Sequence, residues 1–196
     1  MNQILTSNGN QIAYTIEGEG PWLTLSHSLA SNMSMWHPQM PLLTKHFKVL
    51  RFDTRGHGNS SAPLDPYTLD DLAQDAFDLF QSLEISRTHW LGLSMGGMIG
   101  QTLILKYPQL FESLVLADTT SKRPDNAKQM WGERIAQAKA EGMTAMVEST
   151  LKRWFADDFR RNNPAIIQEI AEGIASTSVN GFCGCCEAIS HINTFD

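Results

Sequence analysis

The pentapeptide Gly92-Leu93-Ser94-Met95-Gly96 constrains this chain more than any other feature. It stands between His89-Trp90-Leu91-Gly92-Leu93, which reads as a strand, and Met95 to Tyr107, which reads as a helix ended by Pro108. Glycines two positions before and two after a serine, at a strand-to-helix junction, suit a turn too tight to admit side chains there. Such a turn lifts the serine hydroxyl to the C-terminal edge of a sheet. It also aims the N-terminus of the next helix at any carbonyl that the hydroxyl attacks, where negative charge develops. A chance pentapeptide in a glycine-rich loop would lack the flanking strand and helix.

The preceding segments alternate in the same way. Gln11 to Ile16 alternates polar and apolar residues, as a half-buried strand does, and the turn Glu17-Gly18-Glu19-Gly20-Pro21 follows. Trp22 to Ser26, Phe47 to Phe52 and Ser113 to Ala117 read as further strands, and Met35 to His46 as a helix. Leu69, Leu72, Ala73, Ala76, Phe77, Phe80 and Leu83 share one face of a helix opened by Thr68, and Thr68 with Asp71 makes a capping-box pattern. Strands alternating with helices predict an α/β fold, a mostly parallel sheet with helices on both faces. After Asp118 no strand pattern returns. Met143, Met146, Val147, Thr150, Leu151 and Trp154 share one helical face, and Ile167, Ile170, Ala171 and Ile174 another. Pro124 and Pro164 sit where helix starts are expected. The expected organisation is a core over residues 1–118 and a helical cap over 119–196.

Charge narrows the range of partners. The formal net charge is −6 with no basic stripe, which argues against nucleic acid and against anionic membranes. No stretch approaches the ~20 apolar residues of a transmembrane helix, and the N-terminus lacks a signal-peptide pattern, so a cytoplasmic location is the default expectation. The three cysteines, Cys183, Cys185 and Cys186, crowd too closely for a long-range disulfide framework. With His191 downstream they offer thiolate chemistry, but the spacing matches no zinc pattern. Val179, Phe182, Cys183, Cys186 and Ile189 instead fit one buried helical stripe. Neither a metal nor another cofactor is expected.

A serine nucleophile needs donors for the oxyanion it creates. The Met95 backbone N–H is one candidate, and the loop after the third strand, Ser26-His27-Ser28-Leu29, offers the Leu29 N–H as the other. His27 is read as shaping that loop, because on a fold with this elbow the catalytic histidine comes last in the chain.

These motifs resemble the α/β-hydrolase superfamily over nearly the whole chain. The resemblance rests on His27-Ser28-Leu29, Asp53 to Ser60, the Ser94 elbow and Leu114-Val115-Leu116-Ala117-Asp118. Met35 to Met40, Leu50 to Gly58 and Gly92 to Gly97 are most similar to 3-oxoadipate enol-lactonases. The resemblance implies a hydrolase that cuts a small lactone or carboxylic ester through an acyl-enzyme on Ser94. It also implies that Arg55 ties down the Asp53–Ser60 loop and that His57 has no catalytic part. Substrate would sit between core and cap, where Trp131, Arg134, Arg153 and Trp154 have suitable chemistry: arginine grips a carboxylate with two hydrogen bonds. From the residues alone the favoured reading is plainer: Trp131 and Trp154 pack the cap and the arginines are solvated.

In the family two more strands follow the cap, and the loops after them carry the triad acid and histidine. Neither has a matching position before Asp196. The chain therefore reads as the N-terminal portion of a hydrolase, inactive or nearly so by itself, with the C-terminal strands missing. Asp118 is an alternative acid at the end of the sixth strand, and His191 would have to fold back to reach Ser94. The alternative function is a non-catalytic protein that binds a small ligand or assembles with a partner. With the family's further strands missing, the strand at Ser113–Ala117 is expected to form an open apolar edge prone to self-association.

Overall fold

A computed structural model describes residues 2–64 and 66–195. Its sheet has six strands in the order β1-β2-β4-β3-β5-β6. The first two, β1 (Asn2–Leu5) and β2 (Gln11–Glu17), pair antiparallel, and β2 pairs antiparallel with β4 (Lys48–Phe52). The remaining pairs, which join β3 (Trp22–Ser26), β4, β5 (Thr88–Leu93) and β6 (Phe111–Ala117), are parallel. Ser26 lies level with both Phe52 and Gly92, and Leu93 with Ala117. The four parallel strands therefore end together, and the chain segments that leave them meet at one edge of the sheet.

Asn2–Leu5 forms a strand that no sequence pattern announces. This strand is short and mostly exposed, with no alternation of apolar residues to mark it. The expected helix from Met35 to His46 also differs. Met33–Gln39 is a 3-10 segment, and only Met40–Leu43 (α1) is α-helical. Pro38 and Pro41 remove two backbone donors from this stretch, which prevents a continuous α-helix.

Two helices, α2 (Leu69–Ser82) and α3 (Met95–Lys106), cover one sheet face, where Trp90, Phe52 and Phe80 are buried. The capping box at α2 is formed as expected: Asp71 N–H donates to Thr68 Oγ1 at 3.1 Å, and Thr68 N–H donates to Asp71 Oδ2 at 2.9 Å. The other face is covered over β3 and β4, where Trp36 and Met40 pack on Leu23, Leu25 and Val49. Over β5 and β6 that cover thins. Leu91 and Leu93 are only half-buried, and Val115 is 51% exposed.

Beyond β6 the chain is helical: α4 (Ala127–Glu141), a 3-10 turn at Met143–Met146, α5 (Val147–Trp154), α6 (Asp157–Asn162), α7 (Pro164–Ala175) and α8 (Val179–Ser190). Pro164 occupies the first position of α7, whereas Pro124 stands ahead of α4 in the loop. Met143, Met146, Thr150 and Leu151 point inward, but Trp154 turns out to 36% exposure. The helix α8 is the deepest of these. Its Gly181 lies against Gly56, so closely that a Cβ on either would run into the other's backbone. One continuous apolar cluster joins Leu50, Phe52 and Trp90 of the sheet to Met146, Leu151 and Phe182 of the helical region. The segments before α4 and after α8 are paired as well, through Arg123 N–H to Ile192 O at 3.1 Å and Thr194 N–H to Ser121 O at 2.8 Å. Among the described residues, no helix is long and apolar enough to cross a membrane.

Candidate active site

Ser94 stands between β5 and α3 with φ 53° and ψ −113°, a backbone conformation that L-residues avoid. Such strain costs about 1–3 kcal/mol and persists only when its surroundings impose it. Those surroundings are visible. Ser94 N–H donates to Ala117 O at 2.9 Å, and Thr119 Oγ1 donates to Ser94 O at 2.8 Å, so the turn is stitched to the end of β6. A Cβ on Gly92 would strike the carbonyl of Gly96, and one on Gly96 would strike the carbonyl of Ser26. Both glycines are therefore required by space, and the second brings the end of β3 against the first turn of α3. Ser94 is half-buried, and its hydroxyl makes no hydrogen bond among the described residues.

Met95 is the first residue of α3, where backbone N–H groups have no partner within the helix. Leu29 lies three residues past Ser26, in the loop that leaves β3 beside Gly96. Its N–H also makes no hydrogen bond among the described residues. Two free amides thus lie on the two segments that flank the elbow.

His27 and His57 are buried, with ring centroids 5.3 Å apart. Thr54 N–H donates to His27 Nε2 at 2.9 Å, so the proton resides on Nδ1, which donates to Ser28 O at 2.8 Å. Ala30 N–H donates to His57 Nε2 at 3.0 Å, and His57 Nδ1 faces Arg55 O at 3.2 Å. Burial pulls His27 down to about 4, against the Ser28 hydrogen bond. Burial, with His27 beside it, pulls His57 down to about 3. Both rings are neutral near pH 7, with every nitrogen engaged. Asp53 is buried too, its carboxyl raised by burial and accepting from Met33 N–H at 2.8 Å and Asn59 N–H at 2.9 Å. Arg55 holds the same loop through Asp75, with Nε–Oδ2 at 2.5 Å and Nη2–Oδ1 at 2.7 Å.

No histidine bonds Ser94 among the described residues. His89 sits near the start of β5 and contacts Ser113 Oγ at 2.9 Å. His191, past the end of α8, faces Glu187 O at 2.9 Å and shares a groove with Thr102 and Lys106. At 1.5 Å per helical residue those positions lie about 10–16 Å along α3 from the elbow. His191 therefore does not fold back to Ser94. Asp118 follows β6 with φ 42°, exposed, with no hydrogen bond or ion pair from its side chain among the described residues.

In the helical region the structure brings Trp131 and Arg134 together. The Arg134 guanidinium lies 5.2 Å from the Trp131 ring and 5.5 Å from the Phe182 ring of α8. Its Nε is buried without a hydrogen bond, and no carboxylate pairs with it among the described residues. Burial first, and the nearby Arg153 second, pull its pKa down to about 10. In the sequence Phe182 belongs only to the apolar stripe of its helix. Its place beside Arg134 depends on α4 and α8 packing together, which no local pattern signals. Arg153 is exposed, and Trp154 packs edge-on to Phe155 at 6.5 Å, with no ring or cation–π contact to Trp131 or Arg134 among the described residues. The cysteines diverge: Cys183 Sγ approaches Ile135 O and Cys185 Sγ approaches Arg55 O, each at 3.9 Å. Burial raises all three thiols.

Comparison with known proteins agrees with this architecture. A 3-oxoadipate enol-lactonase from Acinetobacter baylyi is 34% identical over 95% of this chain and 70% of its own length. The crystal structure of the enol-lactonase from Burkholderia xenovorans LB400 superposes with a TM-score of 0.94 at 37% identity, covering 98% of this chain and 74% of that one. A thermophilic esterase from Thermogutta terrifontis gives 0.91 at 25% identity, over 98% and 72%. Residues 21–190 match the α/β hydrolase fold family, and the chain belongs to that family.

Proposed function

We propose that Ser94 is the nucleophile of a hydrolase that opens a lactone or carboxylic ester through an acyl-enzyme. The observation that carries this reading is the strained Ser94 turn, which presents an unbonded hydroxyl at the N-terminus of α3. Ser94 Oγ adds to the substrate carbonyl, and the carbonyl oxygen takes up negative charge that the Leu29 and Met95 N–H groups receive. The bond to the leaving oxygen then breaks. In a lactone that oxygen stays attached to the acyl group as a new hydroxyl or enol. Water cleaves the Ser94 ester and releases the acid. The names of the lactonase and esterase relatives support this substrate class.

Arg134 is proposed to bind a carboxylate on the substrate. A half-buried guanidinium with no acid partner, flanked by Trp131 and Phe182, suits a small anion with an apolar body. Arg153 adds positive charge nearby, and Trp154 is assigned a peripheral part. Residues 1–118 form the core in this reading and residues 119–196 the cap. The Ser94 proton needs an acceptor, and no described histidine is bonded to it; Asp118 stays as the alternative acid. The chain by itself is therefore expected to turn substrate over very slowly.

With the C-terminal region of the Burkholderia enol-lactonase supplied, fluorophosphonate labelling with peptide mapping should place an adduct on Ser94, and Ser94→Ala should abolish it, whereas the chain by itself should label far more slowly. Adding the C-terminal region of the Burkholderia enol-lactonase should raise p-nitrophenyl ester turnover at least about 100-fold, the usual worth of a general base. Robust turnover by the 196-residue chain alone would refute the missing base and direct attention to Asp118. The unbonded hydroxyl also fits a non-catalytic ligand-binding protein. That reading predicts no adduct under either condition, with carboxylate binding that is lost in Arg134→Ala.

A further inference from the structure

Leu29 lies between two peptide planes, and each is pinned by one buried imidazole. The Ser28 carbonyl and the Leu29 N–H belong to the same planar peptide unit. His27 Nδ1 donates to that carbonyl oxygen at 2.8 Å, which fixes the plane and points the Leu29 N–H away from His27. Ser31 N–H reinforces the bond by donating to the same oxygen at 3.3 Å. The next plane carries the Ala30 N–H, which donates to His57 Nε2 at 3.0 Å. Ala30 has φ 59°, a conformation that costs a non-glycine residue about 1–2 kcal/mol and must be held from outside. The two rings are in turn braced by the neighbouring loop, through Thr54 N–H to His27 Nε2 and His57 Nδ1 to Arg55 O.

We propose that His27 and His57 are a pair of positioning residues that fix the direction of the Leu29 N–H, so that it is set before any oxyanion forms. This inference rests on the role assigned above to Leu29. The Ala30 bond needs a free lone pair on His57 Nε2, and the His27 bond needs a proton on Nδ1. Neutral rings supply both, and burial keeps the rings neutral. Besides the Ala30 N–H, the polar groups that face His57 among the described residues are Asp53, His27 and the Arg55 carbonyl. Neither imidazole touches substrate. Each acts through the backbone, and a preorganised donor is worth more than one that must reorient during the reaction.

Histidine 57 variants test the pair. Gln places an oxygen acceptor near the position of Nε2, whereas Leu fills the space without a lone pair. In the labelled 196-residue chain, the residual dipolar coupling of the Leu29 N–H should change in His57→Leu and stay as in wild type in His57→Gln, while that of Met95 stays constant in both. A coupling across the hydrogen bond between Ala30 N and His57 Nε2 should be visible in the wild type. Its absence would overturn the proposal even if the Leu variant failed to fold. With fluorophosphonate and the C-terminal region of the Burkholderia enol-lactonase supplied, His57→Leu should lower the maximal labelling rate of Ser94 at least about tenfold, a fraction of what losing an oxyanion donor costs. The inhibitor's half-saturating concentration should not move, and His57→Gln should restore the rate. If wild-type Ser94 is not labelled even with that region supplied, the acyl-enzyme reading fails and the couplings alone judge the clamp. Unchanged Leu29 coupling in His57→Leu, or equal effects of Leu and Gln, would sink it.

Discussion

His57 also carries a signature in stability. Its pKa of about 3 in the fold lies below the ordinary value of 6.5. The unfolded chain therefore binds a proton that the folded chain refuses, and the contribution is whole above about pH 6.5 and drains away as pH falls toward 3. Each pH unit inside that window is worth about 1.4 kcal/mol. His57→Gln lacks this titration but keeps Asp53 and Asp75, whose burial-raised carboxyls act in the opposite sense. The stability difference between wild type and His57→Gln, from urea unfolding, should thus shrink by about 2 kcal/mol between pH 7 and pH 5. A difference independent of pH would show that His57 is not held neutral. What the sequence revealed at this scale follows chain distance. Ser94 and its glycines lie within five positions, so their geometry was legible. The bonds from His57 to Ala30 and from His27 to Thr54 each span 27 positions, and no local pattern announces them.

Among the elements, α2 was legible because it carries a capping box and a clean apolar stripe. In contrast α4 was not, because among its fifteen residues only Ala127 and Ala138 are buried, leaving no stripe to read. The pairing of α8 with the Asp53–Ser60 loop was equally hidden, since it depends on two glycines distant in sequence. It makes a sharp contrast testable. Gly181→Ala puts a methyl group into the backbone of Gly56 and should destabilise the fold by about 1–3 kcal/mol, the range for overpacking. Gly173→Ala lies in α7 with open space around its Cβ position and should stabilise by up to about 1 kcal/mol through helix propensity. Denaturant unfolding of the two variants separates these outcomes. Equal effects would mean that α8 does not rest on Gly56.

The whole sheet has two unlike edges. At one side β1 is four residues long and begins with Asn2 and Gln3, a short polar edge of the kind that resists pairing. At the other, β6 runs for seven residues with Val115 51% and Leu116 44% exposed on opposite faces. Beside it Leu91 and Leu93 of β5 are only partly covered. A parallel strand that is apolar on both faces belongs inside a sheet, with helices above and below. On the edge it offers unpaired N–H and C=O groups together with apolar surface to any second strand. For the isolated chain the nearest such strand is β6 of a second copy. Self-association at micromolar concentration is therefore expected, read by size-exclusion chromatography with light scattering. Val115→Lys should shift the chain toward monomer, because a charge on the pairing edge is desolvated when the strands meet. Leu5→Lys, at the opposite edge, should not, although Leu5 is 67% exposed. A β-strand and helix segment supplied from the C-terminal region of a longer relative should compete with self-association, since both would use the same edge. A stable monomer that melts cooperatively would show instead that β6 is tolerated in the open and that its exposed apolar residues drive no pairing.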